Sequence, residues 1–131
     1  TWSNLEPLYD RLRTTLSEAM AASGPPGVVL CHLSHVYPTG SSLYFTFMAP
    51  QVKGAELKQW QQIKSAATAA IVAGGGTLSH HHGIGYEHAP LAAEHGDLAV
   101  TALVAAKQAL DPAGIMNPGK LFAADAPKDD A

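Results

Sequence analysis

The spacing of apolar residues in the N-terminal part of the chain predicts an amphipathic helix. From about Leu5 to Ser23 the apolar residues recur every three or four positions and form one stripe. Ser3 or Asn4 is placed to cap its first turn, because a short polar side chain can accept a hydrogen bond from a free backbone N–H. The Gly24-Pro25-Pro26-Gly27 segment predicts the end of this helix.

Two runs of β-type residues follow and predict a hairpin. They cover Val28 to Tyr37 and Leu43 to Ala49, and the turn-type residues 38–42 separate them. Alternate side chains of a strand point to opposite faces. One set in the second run is entirely apolar and is expected in the core: Leu43, Phe45 and Phe47. The other set contains Tyr44, which we therefore expect on the face that is open to a ligand or partner.

Helical periodicity returns twice in the second half of the chain. A helix is predicted from about Ala55 to Ala73, where a run of glycines stops it, and a short extended piece at 77–79 follows. Residues 90–110 predict another helix, with a second start at Asp97. Its inward-facing residues are expected to be Val100, Leu103, Val104 and Leu110.

The C-terminal residues predict turns and a tail. Asp111-Pro112 and Asn117-Pro118-Gly119 are turn signals, and residues 123–131 are expected to be a disordered tail after a domain that spans 1–122. The order of elements is helix, strand, strand, helix, short strand, helix. This order predicts an α+β fold, in which helices pack on one face of a small antiparallel sheet.

Composition narrows the possible functions. Only 15% of the 131 residues are charged, against about 25% in ordinary soluble domains. This indicates either a surface that another domain covers or simply a chain enriched in alanine. A net charge of −3, with Arg11 and Arg13 as the only arginines, argues against a nucleic-acid partner. The single cysteine, Cys31, excludes an internal disulfide and favours a cytoplasmic location, with association to a membrane surface left open.

Three adjacent histidines form the most distinctive chemical feature. In an extended segment His80 and His82 share one face and His81 lies on the other. Histidine is well suited to proton transfer near neutral pH, and Gly83 allows the backbone to come close to a ligand. A metal site that also uses His88 and His95 is the alternative for this segment. For Tyr44, the alternative to proton transfer is packing on a strand.

Two motifs resemble the C-terminal domain of FAD-linked oxidases of the vanillyl-alcohol oxidase superfamily. The first is GGTLSHHHGIG at 75–85, and the second is LDPAGIMNPGKL at 110–121. Within this superfamily the triple histidine is similar to that of the alkyldihydroxyacetonephosphate synthases and their bacterial relatives. The resemblance covers about residues 29–121.

The resemblance implies an enzyme and a cofactor. It implies that FAD is bound mainly by an N-terminal domain of the same polypeptide and that this chain is the domain covering the flavin and lining the substrate site. In the synthases, an acyl group is exchanged for a fatty alcohol through a flavin adduct, so the implied substrate is lipid-like. The implied catalytic residues are Tyr44, His80, His81 and His82. The implied cofactor-binding residues are His81, His82, Gly83 and Asn117.

Other features of the sequence resemble a second branch of the superfamily. The segment from Gly85 to Pro90 has none of the basic residues that follow the glycines in the synthases, whereas Asn117-Pro118-Gly119-Lys120 is more similar to glycolate and D-lactate oxidoreductases. A small 2-hydroxyacid is therefore the alternative substrate. A third hypothesis is a free-standing metal-binding or dimerisation domain.

The covering-domain hypothesis gives three expectations. The chain by itself should bind FAD weakly or not at all, and it should self-associate through the face that carries Tyr44. Tyr44 and His81 should border one cleft, because a general acid or base must come within hydrogen-bond reach of the group that it serves.

Overall fold

The computed structural model describes residues 1–78, His82 and residues 95–120. Three helices and two strands lie in these parts of the chain. The helices are α1 (Trp2–Ser23), α2 (Glu56–Ala73) and α3 (Asp97–Leu110), and the strands are β1 (Val28–Tyr37) and β2 (Gly40–Met48). The chain divides into two compact units, residues 1–76 and 77–131.

The first unit confirms the predicted α+β packing. Strands β1 and β2 pair antiparallel, and α1 packs against both α2 and the hairpin. Leu16 and Met20 of α1 and Ile63 of α2 form the buried centre, and the partly buried side chains against them include Phe45 and Phe47. Two of the three inner residues predicted from the alternation in β2, Phe45 and Phe47, therefore face the helices.

Helix α1 begins earlier than predicted, and neither Ser3 nor Asn4 caps it. Thr1 precedes the first turn without a side-chain cap. The indole N–H of Trp2 donates to the carbonyl of Tyr37 at 3.1 Å, which ties the first turn of the helix to the tip of the hairpin. The side chain of Asn4 instead donates to the carbonyl of Gly74 at 2.7 Å, at the end of α2. Contacts distant in sequence thus determine this terminus.

The hairpin turn is shorter than predicted, because β2 begins at Gly40 rather than at Leu43. Tyr37 pairs with Gly40, and only Pro38 and Thr39 lie between them. The register becomes irregular between Ser34 and Tyr37, where His35 has φ 54°. One extra residue on β1 forms a bulge there, which allows the strands to continue pairing almost to the turn.

The predicted restart at Asp97 is confirmed, but two residues expected to face inward are exposed. Leu103 and Leu110 are 45% and 83% exposed, whereas Val100 and Val104 are partly buried. Helix α3 carries apolar residues on most of its circumference, so their spacing does not single out an inward face.

Two further predictions concern segments at the margins of the described residues. The extended piece predicted at 77–79 forms no strand in its described part, Thr77 and Leu78. The preceding Gly75, at φ 70°, turns the chain, and burial of Leu78 accompanies a bend rather than strand pairing. The predicted tail at 123–131 lies outside the described residues, as does the first part of the helix predicted at 90–110.

Candidate functional site

The side of the hairpin opposite the core forms a continuous surface, here called the outer face. Its members are the alternate residues of the two paired strands: Val28, Leu30, His32, Ser34, Ser42, Tyr44, Thr46 and Met48. Tyr44 is 58% exposed, and Val28, Leu30 and Met48 are exposed to a similar degree. The alternation in β2 therefore predicts the location of Tyr44 correctly.

Tyr44 has an aromatic neighbour on the opposite strand. The register pairs it directly with His32, and their rings stack with centroids 4.9 Å apart and an angle of 23° between planes. Offset stacking at this distance contributes about 0.5–1.5 kcal/mol beyond the area that it buries. The phenol is thus supported on one side and open on the other.

His32 is the functional candidate that the sequence pattern does not single out. By itself it is indistinguishable from an ordinary surface or core histidine. The pairing becomes visible only once the turn is known to contain Pro38 and Thr39 and the bulge is placed at His35. A one-residue error in register would reverse the face of every side chain on one strand, so hairpin geometry is the signal that could have identified it.

The other described candidate, Asn117, belongs to a loop at 111–120 in the second unit. Asn117 has φ 48° and Gly119 has φ 69°, so the predicted turn is confirmed. The loop is organised by Asp111, whose carboxylate accepts the backbone N–H of Ile115 at 3.1 Å and that of Met116 at 3.0 Å. Lys107, one turn earlier in α3, forms an ion pair with the same carboxylate.

These contacts determine the electrostatics of the loop. The hydrogen bond from Lys107 lowers the pKa of Asp111 below its ordinary value, and the backbone N–H groups of Met116 and Ile115 lower it further against the opposing effect of burial. Lys107 also donates to the carbonyl of Met116 at 2.6 Å. The carboxylate of Asp111 therefore binds two backbone N–H donors of this turn, and the ammonium group of Lys107 binds one backbone carbonyl.

The histidine segment is described only in part. His82 is exposed, while His80, His81 and Gly83 lie outside the described residues. The cleft shared by Tyr44 and His81 therefore stays a prediction, as do the roles of the three histidines. In the described part of the chain, no group of three or more His, Cys, Asp or Glu side chains is arranged to hold a metal ion.

A comparison with known protein families identifies the family to which the chain belongs. Residues 1–121 match the family described as FAD linked oxidases, C-terminal domain. The chain belongs to this family. FAD is accordingly the family's cofactor, and the relatives in this FAD-linked oxidase family are enzymes.

Individual relatives of this FAD-linked oxidase domain come from both branches. It is 40% identical to alkyldihydroxyacetonephosphate synthase of Trypanosoma brucei brucei, over 85% of this chain and 18% of that protein. It is 34% identical to the synthase of Dictyostelium discoideum, over 93% of this chain and 20% of that protein. The glycolate oxidase subunit GlcD of Bacillus subtilis is 46% identical, over 41% of this chain and 12% of that protein.

The domain spans about a fifth of the length of the two synthases that it matches. No solved structure matches it significantly. Among its described helices, none is both long and apolar enough to cross a bilayer.

Proposed function

We propose that this domain forms the substrate side of an FAD-dependent enzyme of the alkyldihydroxyacetonephosphate synthase type, in which an acyl group is exchanged for a fatty alcohol. The observation that best supports the proposal is the position of Tyr44. Its ring lies on the outer face of the hairpin, stacked on His32 and exposed to a partner or substrate. Family membership supplies the second line of support.

The outer face offers both apolar and aromatic surface to a flavin. Val28, Leu30 and Met48 give it an apolar surface, and the exposed ring of Tyr44 adds a flat aromatic area. A planar, largely apolar ring system can lie against such a face, while a phenolic hydroxyl offers a hydrogen bond at its edge. We propose Tyr44 as the contact from this face. Bound FAD would supply the covalent chemistry of the exchange.

Four further residues are proposed to contact the cofactor on the strength of the resemblance: His81, His82, Gly83 and Asn117. Of these, Asn117 lies in the loop organised by Asp111. Its left-handed backbone conformation is one that asparagine tolerates better than most residues. Its side-chain amide can both donate and accept hydrogen bonds, which suits the edge of a flavin or a polar substrate group.

Tyr44 is proposed as the group that exchanges a proton with the substrate. A phenol donates through its O–H and accepts through its oxygen, so one residue can give a proton and later recover it. A positioned acid or base contributes about 10²- to 10⁴-fold in rate. His80, His81 and His82 are proposed to complete the proton-transfer machinery.

Two observations favour a second candidate, oxidation of a small 2-hydroxyacid. The matched stretch of the glycolate oxidase subunit has 46% identity, although it covers only 41% of this chain. The segment from Gly85 to Pro90 also contains no Arg or Lys, and these are the residues that commonly bind phosphate. In a synthase-type enzyme, phosphate recognition would then fall to residues outside this domain.

The proposed partner is an FAD-binding domain of the same polypeptide, and the proposed location is the cytoplasm. Self-association through the outer face and weak FAD binding by the 131-residue chain stay predictions. Titration of the purified chain with FAD in a calorimeter, together with sedimentation, would measure both.

The decisive variant is Tyr44→Phe in the intact flavoenzyme that carries this domain. It removes the hydroxyl and keeps the ring, so stacking on His32 should persist. We expect turnover to fall about 10²- to 10⁴-fold, with flavin content and melting temperature unchanged. Tyr37→Phe on the same hairpin is the matched control, and it should turn over normally. Near-normal turnover of Tyr44→Phe with FAD bound would contradict the proposal.

Two substrate assays separate the two candidate functions. The same enzyme is supplied first with an acylated dihydroxyacetone phosphate and a fatty alcohol, and then with 2-hydroxyacids and an artificial electron acceptor. Release of fatty acid with incorporation of the alcohol supports the synthase-type reaction. Reduction of the acceptor by a 2-hydroxyacid supports the alternative.

A further inference from the structure

We propose that His32 is a positioning residue for Tyr44, whose ring it holds in one orientation on the outer face. The inference rests on the proposed role of Tyr44 in proton transfer. His32 itself needs no contact with the substrate or the cofactor. Its effect on the reaction is exerted through the tyrosine ring.

The stack has the geometry expected of a cross-strand pair. His32 and Tyr44 are direct partners in the antiparallel register, and side chains in such positions are close enough to interact face to face. The centroid distance of 4.9 Å and the angle of 23° describe two nearly parallel rings. In the described part of the chain, this is the aromatic contact that Tyr44 makes.

Tyr44 needs such a contact because the core does not hold it. Phe45, the next residue, faces inward against the core and stacks on Tyr9 with centroids 5.9 Å apart. Tyr44 faces the other way and is 58% exposed. Exposed side chains change rotamer on the picosecond to nanosecond timescale. A flat neighbour on one side removes part of this freedom and presents the hydroxyl from a more constant position.

The bulge sets the register of this pairing but lies outside it. The ladder is regular from Val28↔Met48 through Ser34↔Ser42, and the irregularity begins only beyond Ser34. The extra residue of the bulge is therefore accommodated at His35, whose φ is 54°, and this position lies outside the His32–Tyr44 pair. Between residues 28–34 and 42–48, the outer face contains no titratable side chain other than His32 and Tyr44. The ring of His32 is thus the group on this face that can stack on the phenol.

The kinetic test compares His32→Ala with His32→Phe in the intact flavoenzyme. Because small misplacements of a reacting group can cost up to about 10²-fold, we expect kcat of His32→Ala to fall about tenfold, with KM and flavin content near the wild-type values. His32→Phe keeps a flat ring and should recover most of kcat. Val36→Ala, an exposed change on the same strand, should have wild-type kinetics.

A double variant separates this inference from the proposed function. His32→Ala added to Tyr44→Phe should cause no further loss of kcat, because the hydroxyl that it positions is already gone. An equal loss in both backgrounds would overturn the inference, and so would normal kcat in His32→Ala or failure of His32→Phe to rescue. If Tyr44→Phe turned over normally, the proposed role of Tyr44 would fail, and the positioning role with it.

A spectroscopic measurement on the 131-residue chain tests the stack directly. The ring-proton resonances of Tyr44 should carry an upfield shift from His32, which is lost in His32→Ala and restored in His32→Phe. Tyr37 provides an internal reference, since it stacks on His35 instead, with centroids 6.4 Å apart. Unchanged Tyr44 resonances in a folded His32→Ala chain would overturn the inference.

Discussion

The hairpin and the loop at 111–120 each present a candidate functional residue, but different forces hold them in shape. The hairpin is supported from behind by apolar packing of Phe45 and Phe47 on the helices. The loop is held by the carboxylate of Asp111 and the ammonium group of Lys107. The two regions should therefore be destabilised by different changes. Loss of apolar volume should destabilise the hairpin, and loss of charge should destabilise the loop.

The largest expected effect is on the support of the hairpin. Met20 is fully buried at the centre of the first unit, and Met20→Ala should lower the free energy of unfolding by about 2–5 kcal/mol. Urea denaturation of the chain measures this change. Met48→Ala is the matched control, because Met48 is 57% exposed on the outer face and its truncation should change stability by less than about 0.5 kcal/mol. Similar losses in the two variants would show that the core does not support the hairpin.

A smaller, local effect is expected from Asp111→Asn. The change removes the charge that pairs with Lys107 and one of the two carboxylate oxygens that accept N–H groups from Ile115 and Met116. Amide hydrogen exchange at these two residues should accelerate, while exchange in the first unit stays at the wild-type rate. Asp10→Asn, the same change at an exposed position of α1, should leave both unaffected. Uniform acceleration across the chain would contradict the local role of Asp111.

The mildest perturbation of the same loop is a decrease in pH. The pKa of Asp111 is lower in the folded chain than in the unfolded chain, where an aspartate titrates at about 3.9. Its stabilising contribution is therefore complete above that unfolded value and is lost as the pH falls through the lower folded pKa. The protection of the Ile115 and Met116 amides, measured as the exchange rate relative to the intrinsic rate at each pH, should fall in this acidic range in the wild type and not in Asp111→Asn. The same acid dependence in both proteins would assign it to other groups.

Periodicity predicted most ends of the elements to within one residue and separated the two faces of β2, but it did not identify the inward face of α3. Alternation in β2 separated Tyr44 from Phe45 and Phe47 because a strand has a strict period of two. It failed for α3, where apolar residues surround the helix and Leu110 is exposed. It also misplaced the start of α1, since the bond from the Trp2 indole to the hairpin is a tertiary contact without a local signal.

The two candidate regions show why a sequence pattern does not predict which groups an individual side chain contacts. The Asp111-Pro112 dipeptide predicts a turn, yet nothing in it indicates that the carboxylate binds Lys107 and two later N–H groups. Likewise, the stack of His32 on Tyr44 depends on a bulge at His35 that shifts the register by one residue. In both cases the backbone conformation of the intervening residues determines which groups come into contact. Composition and periodicity do not specify that conformation.

The bond from Asn4 to the carbonyl of Gly74 has a consequence for biosynthesis. It joins residues 70 positions apart, close to the full length of the first unit. The hairpin can form while the chain is still emerging from the ribosome, because its paired residues are near neighbours in sequence. The first unit can close only after residue 74 has left the exit tunnel. Until then the part of the α1 apolar stripe that packs on α2 stays uncovered, and exposed apolar surface of this kind is what chaperones bind.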